Sequence, residues 1–211
     1  MTTVLLTGFV PFAGDASNPS GDAVRLVAER WTGPEELVAE VLPVTFDGAP
    51  ARLRDLIAAH RPSVVLAVGL AGGRTAVTPE RVAVNLADAR IPDNDGAQPV
   101  DAPVVPDGPA AYFATLPVKA ITAAVDAGGI PAALSHTAGT FVCNQVMYAA
   151  LHATAGSDVR AGFVHVPYAT ETAHAGAPSL PLADIARALE IAVRTAVDTP
   201  ADAALVGGAL H

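Results

Sequence analysis

A single cysteine, Cys143, stands in a chain of 211 residues, so no intramolecular disulfide can form and a disulfide-stapled secreted scaffold is excluded. Charge is scarce too: 16% of residues are Asp, Glu, Lys or Arg, against about 25% in average soluble chains. With 51% hydrophobic residues, that scarcity excludes intrinsic disorder. Twelve basic residues face 21 acidic ones, a net charge of −9, and they form no cluster. Neither nucleic acid nor a membrane is therefore expected as a partner. The opening MTTVLLTGFVPF has no basic residues before its apolar run, so no signal peptide is expected and the reading is cytoplasmic. No apolar run spans a bilayer. Ala127 to Ser157 carries no Asp, Glu, Lys or Arg, but Gly128, Gly129, Pro131, Asn144 and Gln145 interrupt it. A long uncharged stretch that keeps polar side chains has the character of an active-site interior.

Catalytic signatures are missing as well. There is no Walker A sequence and no HExxH. No serine has glycine at both flanking second positions. Gly69-Leu70-Ala71-Gly72-Gly73 is not G-x-G-x-x-G, and reads as a sheet-edge turn. One cysteine and six scattered histidines build no metal cage, so no metal and no cofactor is expected.

What is present alternates between strand and helix patterns. Ser63–Val68 is a continuous apolar run of the kind buried on both faces of a sheet. Thr3–Leu6, Leu37–Val44, Arg81–Leu86 and Gly162–Val166 read as further strands. Asn18-Pro19 is a helix start, followed by apolar residues at helical spacing. The segments around Leu53–His60, Pro117–Ala127, Phe141–Ala153 and Pro181–Val197 read as further helices. Asp101–Pro109, with three prolines, reads as an extended loop. The chain is expected to be one domain over residues 1–211: a three-layer α/β/α sandwich with a mostly parallel mixed sheet.

Cys143 lies in SHTAGTFVCN, where a strand-like segment meets a helix. With Thr140 as N-cap it falls in the first helical turn, whose free N–H groups favour a thiolate and can hold an oxyanion. The competing reading is a small buried hydrophobe. A nucleophilic thiol needs a base, and His165, near the end of a strand in GFVHVPY, has the right element. His152 is too far along the helix from Cys143. His60, His174 and His211 read as solvated. The orienting carboxylate stays open among Glu80, Asp88 and Asp93; Glu80 could equally form an exposed ion pair with Arg81.

Four blocks, in order and across nearly the whole chain, resemble the pyroglutamyl peptidase (pyrrolidone-carboxylate peptidase) family of thiol enzymes. They are VLLTGFVPFAGDASNPS from Val4, GLAGGRTAVTPERVAVNLADARIPDNDGAQP from Gly69, AGTFVCNQVMYAALH from Ala138, and GFVHVPY from Gly162. The resemblance implies a Cys-His-Glu set of Cys143, His165 and Glu80, and it alone selects Glu80. It implies a supporting role for Arg90. It implies a pyroglutamyl ring pocket of Phe9, Phe12, Thr45, Ile91, Phe141 and Val142, with backbone around Leu70 pairing with the lactam. The implied activity is removal of N-terminal pyroglutamate from peptides through a thioester, with His165 protonated at rest, a site free of carboxylates that would hold an ammonium, and a homo-oligomer, dimer or tetramer. The alternatives are another thiol-dependent amide hydrolase on this scaffold and a non-catalytic small-ligand binder. The chain departs from the family pattern at Leu70, at His136 and in the shorter loop after Tyr168, ATETAHAGA.

Overall fold

A computed structural model describes residues 2–209; His211 lies outside them. In chain order the elements are β1 (Thr3–Phe9), α1 (Pro19–Arg30), β2 (Glu36–Leu42), α2 (Gly48–His60), β3 (Val64–Leu70), β4 (Thr78–Pro79) and β5 (Val82–Val84). They continue with β6 (Ala111–Phe113), α3 (Val118–Ala127), α4 (Val142–Ala153), β7 (Arg160–Val166), β8 (Tyr168–Ala169), β9 (Ser179–Leu180) and α5 (Leu182–Asp198). The main sheet has the order β2-β1-β3-β7-β4, parallel except for β4, which runs antiparallel to β7. This is the expected α/β/α sandwich with a mostly parallel mixed sheet. Among the described residues, no helix is long and apolar enough to cross a membrane.

Strand alternation decides which residues meet which helices. Val4, Leu6, Val64, Leu66, Val68, Val164 and Val166 face α1, α3 and α5, and pack with Val24, Ile121, Ile185 and Leu189. Leu5, Val65, Ala67 and Phe163 face the other way, onto Leu53 and Leu56 of α2 and Val146, Met147 and Leu151 of α4. His165 has the parity of Phe163, so it turns toward α4, the helix that carries Cys143. β3 and β7 are buried along almost their whole length, which their continuous apolar sequences require.

The structure revises two expectations, the strand at Arg81–Leu86 and the Thr140 N-cap, and adds two features, the strand beside β7 and the seating of the loop Asp101–Pro109. The strand expected at Arg81–Leu86 shrinks to Val82–Val84 and pairs with β6 outside the main sheet. The strand that joins β7 is Thr78–Pro79, and Pro79, lacking an N–H, suits a sheet edge. The N-cap of α4 is Phe141, not Thr140, whose hydroxyl donates to Asp88 O at 2.8 Å instead. Cys143 still falls in the first turn. The loop Asp101–Pro109 folds onto its own body: Asn85 bonds Val105 N, Val105 O and Gly108 O, and Val104 and Val105 pack on the α4 core.

The start of α1 forms as its sequence predicts, with Asn18 Oδ1 accepting from Ser20 N at 3.1 Å. This brings α1 against the end of β1, where Phe9 N donates to Ser20 Oγ at 3.1 Å. A Cβ on Gly8 would lie 2.5 Å from Ser20 O and 2.8 Å from Gly21 Cα, both backbone atoms. Gly8→Ala should destabilise the protein by about 2–3 kcal/mol, seen as a lower Tm and urea midpoint. Unchanged unfolding would show that β1 and α1 can separate freely at this point.

Candidate active site

The carboxyl ends of β1, β3 and β7 open onto a cavity of about 400 Å3, the usual ligand position in a parallel sheet. Cys143, His165, Arg90, Phe9, Phe12, Leu70, Phe141 and Val142 all line it. Thr45 and Ile91 do not. Thr45 is buried and its hydroxyl accepts from Gly48 N at 3.2 Å at the start of α2, while Ile91 is exposed.

Gly69 explains how the sulfur reaches this place. It stands opposite His165 in the β3–β7 register, and a Cβ there would come within 2.7 Å of both Cys143 Sγ and Phe163 Cζ. Only a residue without a side chain lets α4 lay Cys143 over the sheet end. The Phe163 and His165 rings lie 4.9 Å apart and share a face, as alternation requires.

Glu80 is fully buried, and its Oε1 accepts from His165 Nδ1 at 2.6 Å. That bond assigns the proton to Nδ1 and leaves Nε2 free toward the cavity. Glu80 is held by backbone bonds on both sides: Glu80 N donates to Phe163 O at 2.8 Å and Arg81 N to Ser135 O at 2.8 Å. The exposed ion pair with Arg81 does not form. The cation on Glu80 is Arg74, at 2.7 Å from the same Oε1. Sequence reasoning missed Arg74, because it follows a glycine turn and reaches Glu80 over five intervening residues whose only regular element is the two-residue β4. Of the other carboxylates considered, Asp88 is exposed, and Asp93 accepts from the backbone N–H groups of Phe46, Asp95 and Ala97.

Burial pushes the Cys143 thiol up to about 12, and the Glu80 carboxylate adds to the rise. Arg74 and the backbone N–H of Cys143 act the other way and are outweighed. Burial also lowers the His165 imidazole against the pull of Glu80. Both directions favour a neutral thiol and a neutral imidazole over the expected resting thiolate and imidazolium. No side chain caps α4: its N-cap Phe141 has no acceptor, and Asn144, inside the first turn, bonds Val84 N, Val84 O and Leu86 O. The first-turn N–H groups are left for a ligand.

The rest of the wall has two characters. Phe141 packs edge-on to Phe46 at 5.0 Å and against Phe12 at 5.2 Å, an aromatic side suited to an uncharged ring. Opposite in chemistry are Asp15 and Tyr168, which also line the cavity. Asp15 is a carboxylate on this wall that the sequence reading did not include. Its oxygens are taken by His174 Nε2 at 2.8 Å and Tyr168 OH at 3.3 Å, so His174 is not merely solvated. Among the described residues, no group of three His, Cys, Asp or Glu side chains is placed to hold a metal ion.

Residues 2–199 match the family model described as pyroglutamyl peptidase. The chain is 53% identical to the pyrrolidone-carboxylate peptidase of Escherichia fergusonii and 52% identical to that of Streptomyces coelicolor, each alignment covering both chains in full. Its fold is similar to crystalline pyroglutamyl peptidase I from Bacillus amyloliquefaciens, with a TM-score of 0.93 and 46% identity over 97% of this chain and 99% of that one. It is also similar to the pyrrolidone carboxyl peptidase from Thermococcus litoralis, with a TM-score of 0.92 and 39% identity over 98% and 100% of the two chains.

The electrostatics make a kinetic prediction. Alkylation of Cys143 by iodoacetamide in the ligand-free protein should keep accelerating from about pH 7 to about pH 10, roughly tenfold per unit. A rate that has already levelled off near neutrality would mean that the thiolate exists at rest.

Proposed function

The chain belongs to the pyroglutamyl peptidase family, and from that premise we propose that it releases N-terminal pyroglutamate from peptides with Cys143 as nucleophile, His165 as base and Glu80 as the group that orients it. Membership makes it a cysteine-type peptidase and peptides its substrates. The observation that supports the residue roles best is the 2.6 Å bond from His165 Nδ1 to buried Glu80, in the cavity that Cys143 lines.

Pyroglutamate is a five-membered lactam with no free amine, so a site for it needs an apolar slot and partners for the lactam N–H and C=O. Phe12, Phe141 and Val142 supply the slot, and backbone near Leu70 supplies the partners. A site built on those hydrogen bonds rejects proline, which lacks the ring carbonyl, by up to about 10⁴-fold.

Burial favours the neutral thiol, so in this reading the reaction begins with proton transfer. His165 Nε2 takes the Sγ proton as the sulfur adds to the exocyclic carbonyl carbon of pyroglutamate. First-turn N–H groups of α4 hold the resulting oxyanion. The C–N bond then breaks, the imidazolium protonates the departing amine, and a thioester remains. Water, losing a proton to Nε2, adds to the thioester; the C–S bond breaks, and the proton returns to sulfur. Glu80 stays ionised throughout, offsets the transient imidazolium charge and keeps the Nδ1–H tautomer.

Release of a fluorescent amine from a pyroglutamyl amide tests this reading. Cys143→Ala should abolish turnover, and Glu80→Gln should lower kcat by about 10²-fold or more with little change in KM. Equal turnover of prolyl or glutaminyl amides would overturn the substrate assignment, and full activity of Cys143→Ala the thiol mechanism.

A further inference from the structure

We infer that Arg74 is a positioning residue for this reaction: its guanidinium aims Glu80 at His165 and ties together the three chain segments that carry the reacting set. The inference rests on the roles proposed for Cys143, His165 and Glu80.

The contacts of one side chain make the case. Arg74 NH1 lies 2.7 Å from Glu80 Oε1, the oxygen that accepts from His165 Nδ1 at 2.6 Å. The same NH1 donates to Thr78 Oγ1. Thr78 stands opposite His165 in the β4–β7 register, and its hydroxyl also lies 3.3 Å from His165 O. Arg74 NH2 donates to Thr137 O at 3.2 Å, in the segment that leads into α4 and Cys143. The guanidinium thus touches Glu80 directly, the His165 strand through Thr78, and the approach to Cys143 through Thr137. A planar fork with several fixed N–H groups can serve three acceptors at once; an ammonium on a flexible stem cannot hold all three in one geometry.

Glu80 itself shows why a fixed cation is needed. It has no exposed surface, and its Oε2 has no hydrogen-bond partner among the described residues. Both donors converge on Oε1, so Arg74 helps set which oxygen faces the imidazole. Arg74 is itself only partly exposed, so water screens the pair weakly. The titratable and charged groups about His165 are Glu80, Arg74 and Cys143, with Asp15, Arg90 and Tyr168 on the shared cavity wall. Arg74 is thus the cation whose removal changes the balance between Glu80 and the imidazole.

The test compares Arg74→Met, which removes charge and fork, with Arg74→Lys, which keeps the charge. Each is measured for kcat, KM and the pH profile of kcat/KM on a pyroglutamyl amide, with melting curves to count folded protein. In Arg74→Met, kcat should fall roughly tenfold or more per folded molecule with KM within about twofold. With the cation gone, His165 holds a proton to higher pH, so the acid limb of kcat/KM should move up by about half a unit or more. In Arg74→Lys the limb should stay near the wild-type position while kcat recovers only in part. A wild-type kcat and limb in Arg74→Met, or a loss of activity that merely tracks unfolding with the limb unmoved, would overturn the inference. If Arg74→Met does not fold, Arg74→Lys decides: reduced kcat at unchanged KM supports the inference, and wild-type kcat overturns it. An inactive wild-type protein, or an active Cys143→Ala, would instead count against the proposed function.

Discussion

Glu80 is a carboxylate with no exposed surface, and one of its oxygens takes both a histidine and an arginine. A charge so placed loses its hydration, and it is tolerable only where a cation and good donors offset that loss. Much of the surrounding chain is arranged to that end. The glycine turn after β3 delivers Arg74; Thr78–Pro79 joins the sheet edge beside His165; and the segment from Pro131 to Ser135 bonds to Val77, Pro79 and Arg81 from the other side. Remove Glu80 and these irregular segments keep their backbone bonds but lose the ion pair and the charge-assisted hydrogen bond at their centre.

The same burial sets the state of Cys143. A helix N-terminus stabilises a thiolate, and on that ground alone a depressed pKa is expected. The helix contribution is modest, however, about 1 kcal/mol in ordinary settings. Loss of water around the sulfur acts more strongly, and the Glu80 carboxylate acts in the same direction. The arrangement that orients His165 therefore also favours the neutral thiol. On the proposed mechanism this assigns the work of activation to His165 Nε2 at the moment of attack, not to a resting ion pair.

Much of the fold can be read in the sequence because it rests on local rules. The doubly buried strands β3 and β7, the Asn18-Pro19 helix start and the Gly128 stop after α3 all carry their own signals. The juxtaposition of Phe163 and His165 follows from strand alternation. What is not legible depends on distant partners. Nothing local tells Arg74 from Arg81 as the cation on Glu80, because the choice is made by how a turn after β3 crosses to β4. The two-residue β4 has too few residues to show a period. Thr140 has the character of a cap residue, but its hydroxyl donates to Asp88 O and the N-cap falls on Phe141, which leaves the first α4 N–H groups without a side-chain cap. In the sequence, resemblance alone separates Glu80 from Asp88 and Asp93; the structure adds a physical distinction, since Asp93 is occupied by backbone N–H groups and Asp88 faces solvent.

Asp15 bears on how such a cavity would treat a charged amine. A carboxylate on the wall of a pocket is the usual means of holding an ammonium, which a lactam substrate does not possess. Here both Asp15 oxygens already have donors, His174 from the loop after β8 and Tyr168 from the end of the sheet. An ammonium would have to compete with these donors for Asp15. Tyr168 is further seated by Gly72, where a Cβ would come within 2.7 Å of its ring. The acidic group is thus used to join the loop after β1 to the loop after β8 at the cavity mouth. An uncharged ring meets no such cost on the side lined by Phe12, Phe141 and Val142, so the polar and aromatic parts of one wall favour the same kind of chain end.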